Sequence, residues 1–154
     1  TSADIMDTSL ALQIKDFLIF LEQDLYDLRS ILIDLAYRHK KTVCIGRTHA
    51  QHAVPTTYGL KFAIYAEEVQ RHIERLGEYR PRILVGQMTG AVGTMAALGP
   101  KALEIQEKTM EYLDLNSVNV SNQVVQRDRH AEFVFNLALI GETLNKIMTE
   151  IRNF

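Results

Sequence analysis

The chain has 154 residues, enough for one domain with a real core. Hydrophobic residues make up 47% and charged residues 23%, the balance of a soluble globular protein. The net charge of −2 excludes a global pull toward nucleic acid or anionic membrane, and no apolar run approaches the ~18 residues of a spanning helix. Cys44 is the single cysteine, so no intrachain disulfide can form, which fits a reducing compartment. Within Val43-Cys44-Ile45 it reads as a small buried side chain rather than a nucleophile. No secretory leader pattern is visible. The chain starts Thr1-Ser2 without methionine and stops at Phe154 inside an apolar stripe, which reads as a segment of something longer.

Proline occurs only at 55, 81 and 100, so long uninterrupted helices are allowed. A first helix is expected from Asp4 to Lys40 behind a Ser2 cap. Its stripe is Leu10, Ile14, Phe17, Leu21, Leu25, Leu28, Leu32 and Leu35, spaced by threes and fours. The basic run Arg38-His39-Lys40-Lys41 falls at its end, where cations favour the helix dipole; that reading outweighs a phosphate patch. A second helix is expected from Thr56 to Arg80, with Phe62, Ala66, Val69, Ile73 and Leu76 as its stripe. A short helix follows Pro100, from Lys101 to Leu113. The last starts near Ser121 or Asn122 and carries Phe133, Leu137, Ile140, Leu144, Ile147, Ile151 and Phe154. No strand signal, repeat or low-complexity segment is present. The class is therefore all-α, a bundle of long helices forming a single domain over 1–154.

Length constrains assembly. A helix of ~35 residues is ~50 Å long, whereas a small domain is ~30 Å across. The first helix also carries Leu18, Ile19, Phe20, Ile31 and Ile33 off its main stripe. A wide apolar face on a long rod wants partners on more than one side, so an oligomer sharing a helical core is expected.

Chemistry in a bundle sits where the pattern breaks. Thr1-Ser2 opens a helix with two hydroxyls and free N–H groups, either an ordinary cap or a carboxylate site. The segment from Gly46 to Thr57 joins the two longest helical patterns. His49 there is either a surface histidine or an acid–base group on a loop held by rigid helices. His49 and His52 have no neighbouring Cys or Glu to complete a zinc set, so no metal is assigned. Gly86-Gln87-Met88-Thr89-Gly90-Ala91-Val92-Gly93-Thr94 is neither a phosphate loop nor a dinucleotide fingerprint, and reads best as a tight interhelical turn. Ser121 to His130 is dense in polar groups. It is either a solvated first turn or a site in which Gln123 offers an amide and Arg127 a fixed charge.

Four strings in register resemble the fumarase/aspartase superfamily, and within it the adenylosuccinate lyases. They are Thr1-Ser2-x-Asp4-Ile5-x-Asp7-Thr8; Gly46-Arg47-Thr48-His49 with Pro55-Thr56-Thr57-x-Gly59-Leu60-Lys61; Gly90-Ala91-Val92-Gly93-Thr94; and Gln123-x-x-Gln126-Arg127-Asp128-Arg129-His130. The resemblance covers essentially the whole chain and implies the central helical domain of a cytoplasmic homotetramer. It implies elimination of fumarate from adenylosuccinate, giving AMP, and from the succinylated carboxamide ribotide SAICAR, both in purine biosynthesis, with no metal or organic cofactor. By the same resemblance a serine base takes the proton and His49 is the acid. Thr1 and Ser2 hold the succinyl carboxylate with help from Thr48, Gln123 contacts substrate and Arg127 supports.

The chain departs from the pattern in three ways. The glycine-serine-serine-x-methionine-proline loop carrying the base does not occur in these residues, nor does a second family histidine upstream of Thr1-Ser2. Both absences imply that the 154 residues are inactive alone. A lysine usual near the glycine segment is Gln87 here. Two alternatives stand beside this reading. A carboxymuconate cycloisomerase has a similar first string but lacks the histidine matched by His49. A non-catalytic helical assembly module is the other.

Overall fold

The structure is a computed structural model and describes residues 1–153. Its elements are α1 (Ser2–Arg38), β1 (Val43–Thr48), β2 (Gln51–Thr57), α2 (Tyr58–Ile83), β3 (Val85–Gly86), α3 (Ala102–Tyr112), β4 (Asn116–Ser117) and α4 (Asp128–Arg152), with a 3₁₀ turn at Ala96–Lys101 before α3. Two compact units are present: Thr1–Leu21 with Leu76–Phe135, and Glu22–Arg75 with Asn136–Phe154. Helices α1, α2 and α4 each contribute to both. Phe154, the last member of the α4 stripe, lies outside the described residues. Among those residues no helix is long and apolar enough to cross a membrane.

The helical class holds, with boundaries moved for physical reasons. Ser2 lies inside the first turn of α1 rather than capping it, and α1 ends at Arg38, where the chain turns and Thr42 N–H reaches His39 O at 3.0 Å. Helix α2 continues through Pro81 to Ile83, and the Leu84 N–H still reaches Arg80 O at 3.0 Å. Helix α4 starts at Asp128, later than expected. Upstream, side chains take the backbone donors a helix would need: Asn122 Oδ1 accepts Val124 N–H at 3.0 Å and Asp7 Oδ2 accepts Val125 N–H at 2.8 Å. The glycine segment is no tight turn; it belongs to a longer connector from α2 to α3 that holds β3 and the 3₁₀ turn.

In the first unit, Ala3, Asp4, Asp7, Thr8, Ala11, Ile14 and Leu18 form the buried face of α1. This face is offset from the expected stripe: Leu18 is 1% exposed, whereas Leu10 is 37% and Phe17 44% exposed. The face opens on polar residues, so apolarity alone misplaces it. Ala11 packs with Met110 of α3 and with Leu115, beside Leu12, Leu84, Met88 and Leu113. Phe17 stays useful, meeting Phe133 edge-on at 6.1 Å between ring centres, and Phe133 in turn meets buried Tyr79 at 6.2 Å.

In the second unit, Phe62, Ala66, Val69 and Ile73 of α2 are buried as their spacing predicts. Leu25 and Leu32 of α1 and Ile140 and Ile147 of α4 are buried too, while Leu144 and Ile151 remain exposed. Gly59 starts α2 against the end of α1. A Cβ there would lie 2.5 Å from Lys40 Cα and 2.6 Å from Ala36 O, so the two backbones can meet only at glycine. Of the five off-stripe residues of α1, Leu18 is buried in the first unit, and Ile19, Phe20, Ile31 and Ile33 are exposed.

The expectation of no strands is overturned by β1 and β2, an antiparallel hairpin. Its turn is two residues long, His49-Ala50, with φ of 51° and 60°. Two positive φ values are what a type I′ hairpin turn demands, but the usual Asn-Gly signal is missing, so the sequence does not announce it. The β3–β4 pair is a short parallel contact, Val85 with Asn116 and Gly86 with Ser117, and it ties the α2 end to the segment after α3.

Candidate active site

The hairpin presents the second motif. Cys44 pairs with Thr56 and Ile45 with Pro55; Arg47 then pairs with His52 and Thr48 with Gln51. Ala53 and Val54 therefore face the single residue Gly46, a bulge that re-aims the tip. A Cβ on Gly46 would lie 2.7 Å from Val54 O, so glycine is required for this approach. Thr48 and His49 are both exposed, and His49 sits at the tip in the left-handed region. A non-glycine residue there costs roughly 1–2 kcal/mol, and Ala50 repeats the cost. Such conformations persist where surrounding structure enforces them, and they cluster at functional segments. Among the described residues no group of three His, Cys, Asp or Glu side chains is placed to hold a metal.

The other predicted residues lie in the first unit, where the start of α1, residues 87–90 and residues 121–127 are laced together by buried polar side chains. Asp4 accepts from Thr89 N–H at 3.0 Å and from Gly90 N–H at 3.2 Å. Burial works against its ionisation, while the hydrogen bonds from the Thr89 and Gly90 N–H groups favour the charged carboxylate. Thr8 Oγ1 accepts from Gln87 N–H at 3.1 Å and lies 3.3 Å from Gln87 O. Thr89 Oγ1 and Ser121 Oγ are 2.8 Å apart. Gln87 Nε2 donates to Gln123 O at 2.7 Å, leaving Gln87 Oε1 buried without a hydrogen-bond partner among the described residues.

Of the sequence-predicted residues here, Ser2 and Gln123 keep their side chains exposed, while the half-buried Thr1 hydroxyl donates to Asp4 Oδ2 at 3.4 Å. Arg127 is engaged: its guanidinium donates to buried Asp7 at 2.9 Å, so part of its charge is spent on structure. His130 lies close by. Burial and the Arg127 charge hold its imidazole below the ordinary histidine range, against the pull of Asp7. Asp4, Asp7 and Thr8 carry no role in the sequence reading. Their i, i+3, i+4 spacing, continuous with Ala11, is the signal that places them on the buried face.

The second unit holds a polar relay that no motif marks. His72 Nε2 and Thr143 Oγ1 are 2.8 Å apart, and Thr143 Oγ1 donates to Glu68 Oε1 at 2.7 Å. Lys146 Nζ donates to Glu68 Oε2 at 2.5 Å, and Arg75 faces His72 Nδ1 at 3.3 Å. The hydroxyl has one proton and gives it to Glu68, so toward His72 it can only accept. The imidazole is then neutral with its proton on Nε2. Burial first, then the Arg75 charge, holds the His72 pKa below its ordinary value.

The family model described as lyase matches residues 1–154. The adenylosuccinate lyase of Methanocaldococcus jannaschii is 58% identical over 99% of this chain, which corresponds to 33% of that protein. The chain thus spans about a third of the length of this relative. The crystal structure of a fumarate lyase from Mesorhizobium sp. BNC1 superposes with a TM-score of 0.93 at 39% identity, covering 99% of this chain and 36% of that one. The 3-carboxy-cis,cis-muconate lactonizing enzyme of Pseudomonas putida superposes with a TM-score of 0.92 at 43% identity, covering 97% and 34%.

Proposed function

The chain belongs to the lyase family, and on that premise we propose that it is part of an enzyme eliminating fumarate from adenylosuccinate to give AMP. SAICAR is its second substrate, and both reactions serve purine biosynthesis in the cytoplasm. The 58% identity to a relative named adenylosuccinate lyase supports adenylosuccinate as the substrate. The observation that supports His49 as the acid is its turn, two consecutive non-glycine residues held left-handed on an exposed hairpin.

In the reaction a base removes a proton from the succinyl group, and that C–H pair becomes the double bond of fumarate. The C–N bond breaks, the nitrogen leaves with its electron pair, and His49 supplies a proton to it. Hydroxyls of Thr1, Ser2 and Thr48 hold the succinyl carboxylate and meet charge as it develops beside it. Gln123 contributes its amide, and Arg127 supports from its Asp7 anchor. The base is the serine of the loop string that these 154 residues lack. These steps call on no metal or organic cofactor. The active assembly is a homotetramer, a reading supported by the exposed apolar residues of α1.

The test is His49→Ala in the full-length enzyme. Turnover of adenylosuccinate should fall by roughly 10²–10⁴-fold, the range for a lost general acid, with an unchanged melting transition. Unaltered turnover removes His49 from the role. A second reading, lactonization of a carboxymuconate, is favoured by the 43% identity to the Pseudomonas enzyme. The same preparation should be offered 3-carboxy-cis,cis-muconate; its turnover, with adenylosuccinate untouched, would replace the first reading.

A further inference from the structure

The backbone that leads on from Gln123 is gripped at two points. Gln87 Nε2 donates to the Gln123 carbonyl at 2.7 Å, and Asp7 Oδ2 accepts the Val125 N–H, two residues on, at 2.8 Å. Both grips come from buried side chains, Gln87 at 0% and Asp7 at 6% exposure. Each is itself held. The Gln87 backbone is bonded to Thr8 Oγ1, and the other Asp7 oxygen accepts from Arg127 at 2.9 Å. Gln123 itself turns its side chain to the surface.

This is a costly way to fasten a loop. Fastening it through Gln87 leaves the amide oxygen of that residue buried and unpartnered among the described residues, and an orphaned buried polar atom carries a real free-energy penalty. Here the chain commits an amide and a carboxylate that no helix or sheet requires.

We propose that Gln87 and Asp7 are positioning residues for the elimination, acting through Gln123 by fixing the backbone from which its amide meets the substrate. The inference rests on the reading of Gln123 as a substrate-contacting residue. A contact group is worth its full effect only when its own support is rigid. Slackening either grip therefore lowers kcat/KM without removing any atom that touches substrate.

Three variants of the full-length enzyme test this: Gln87→Met, Asp7→Asn and Gln123→Ala, with both double variants. Methionine nearly matches glutamine in volume and carries no orphan oxygen, so the fold is retained. Asparagine keeps an acceptor for Val125 N–H while giving up the charge that Arg127 fixes. Gln87→Met should lower kcat/KM for adenylosuccinate by roughly 10- to 100-fold, as displaced contact groups do. Asp7→Asn should lower it less. In the Gln123→Ala background each should change kcat/KM by less than about twofold, because effects routed through one residue are not additive. Equal losses in both backgrounds, or kinetically silent single variants, would overturn the proposal while leaving Gln123 in contact with substrate. Wild-type kinetics from Gln123→Ala would instead sink the reading of Gln123, and the grip with it.

Discussion

Thr143→Val tests the buried relay of the second unit. Valine matches threonine in shape, so the change removes one oxygen and little else. That oxygen accepts from His72 Nε2 at 2.8 Å and donates to Glu68 Oε1 at 2.7 Å. His72 and Thr143 are both buried, so the His72 N–H would lose its partner where water cannot replace it. Each such orphan costs about 1–3 kcal/mol. Glu68 keeps Lys146 and some solvent, so its share is smaller. The sum is about 2–4 kcal/mol, read as a fall in the urea midpoint at unchanged m-value. Thr143→Ser retains the hydroxyl and should cost well under half as much. A Thr143→Val midpoint at wild type would mean that the hydroxyl carries no load. The same relay fixes a pH response. The folded His72 pKa is depressed, so below about pH 6.5 the unfolded chain binds a proton that the folded chain refuses. Stability is therefore complete above pH 6.5 and lost as pH falls toward the folded value. Its slope is at most about 1.4 kcal/mol per pH unit. His72→Gln should flatten that fall, and a mutant profile superposing on wild type from pH 5 to 7 would refute the assignment.

Two further outcomes follow from burial. Leu18→Ala should cost about 2–5 kcal/mol in chemical denaturation, because Leu18 is fully enclosed, whereas Leu10→Ala should cost under about 1 kcal/mol. Equal costs would show that the buried face of α1 is drawn wrongly. Light scattering on the purified chain should report a species above monomer mass, because Ile19, Phe20, Ile31 and Ile33 leave α1 apolar on its exposed side. A well-folded monomer at micromolar concentration would contradict that.

Much of the architecture is legible in the sequence because helices leave a period. The α2 stripe is buried residue for residue from Phe62 to Leu76. The hairpin was not legible, since its turn is built from His49 and Ala50, and neither advertises a positive φ. The α1 face was misplaced because Asp4, Asp7 and Thr8 extend it with polar atoms, which a search for apolar spacing passes over. The start of α4 failed for a related reason. Ser121 and Asn122 look like caps, but Asn122 bonds locally to Val124 N–H and Ser121 pairs with Thr89.

The motif strings also mix two kinds of polar residue that only packing separates. Asp4, Asp7, Thr8, Gln87 and Thr89 are buried, and hydrogen bonds join them to one another's segments or to residues 121–127. Truncating one of these side chains outright would damage folding and chemistry together, whereas the near-isosteric Gln87→Met and Asp7→Asn keep the fold, so loss of activity on truncation does not identify a substrate contact. Ser2, Thr48, His49 and Gln123 are the reverse: side chains at the surface, on backbone fixed by helix, hairpin or buried grip, whereas the Thr1 hydroxyl is bonded to Asp4. A group that must meet substrate has to keep its own bonding capacity unspent while its backbone is held still. Arg127 sits between the two, half committed to Asp7 and half exposed. Its replacement should therefore lower stability and activity together, whereas His49→Ala should lower activity alone. That contrast separates the two kinds of residue by measurement, where shared membership in a motif cannot.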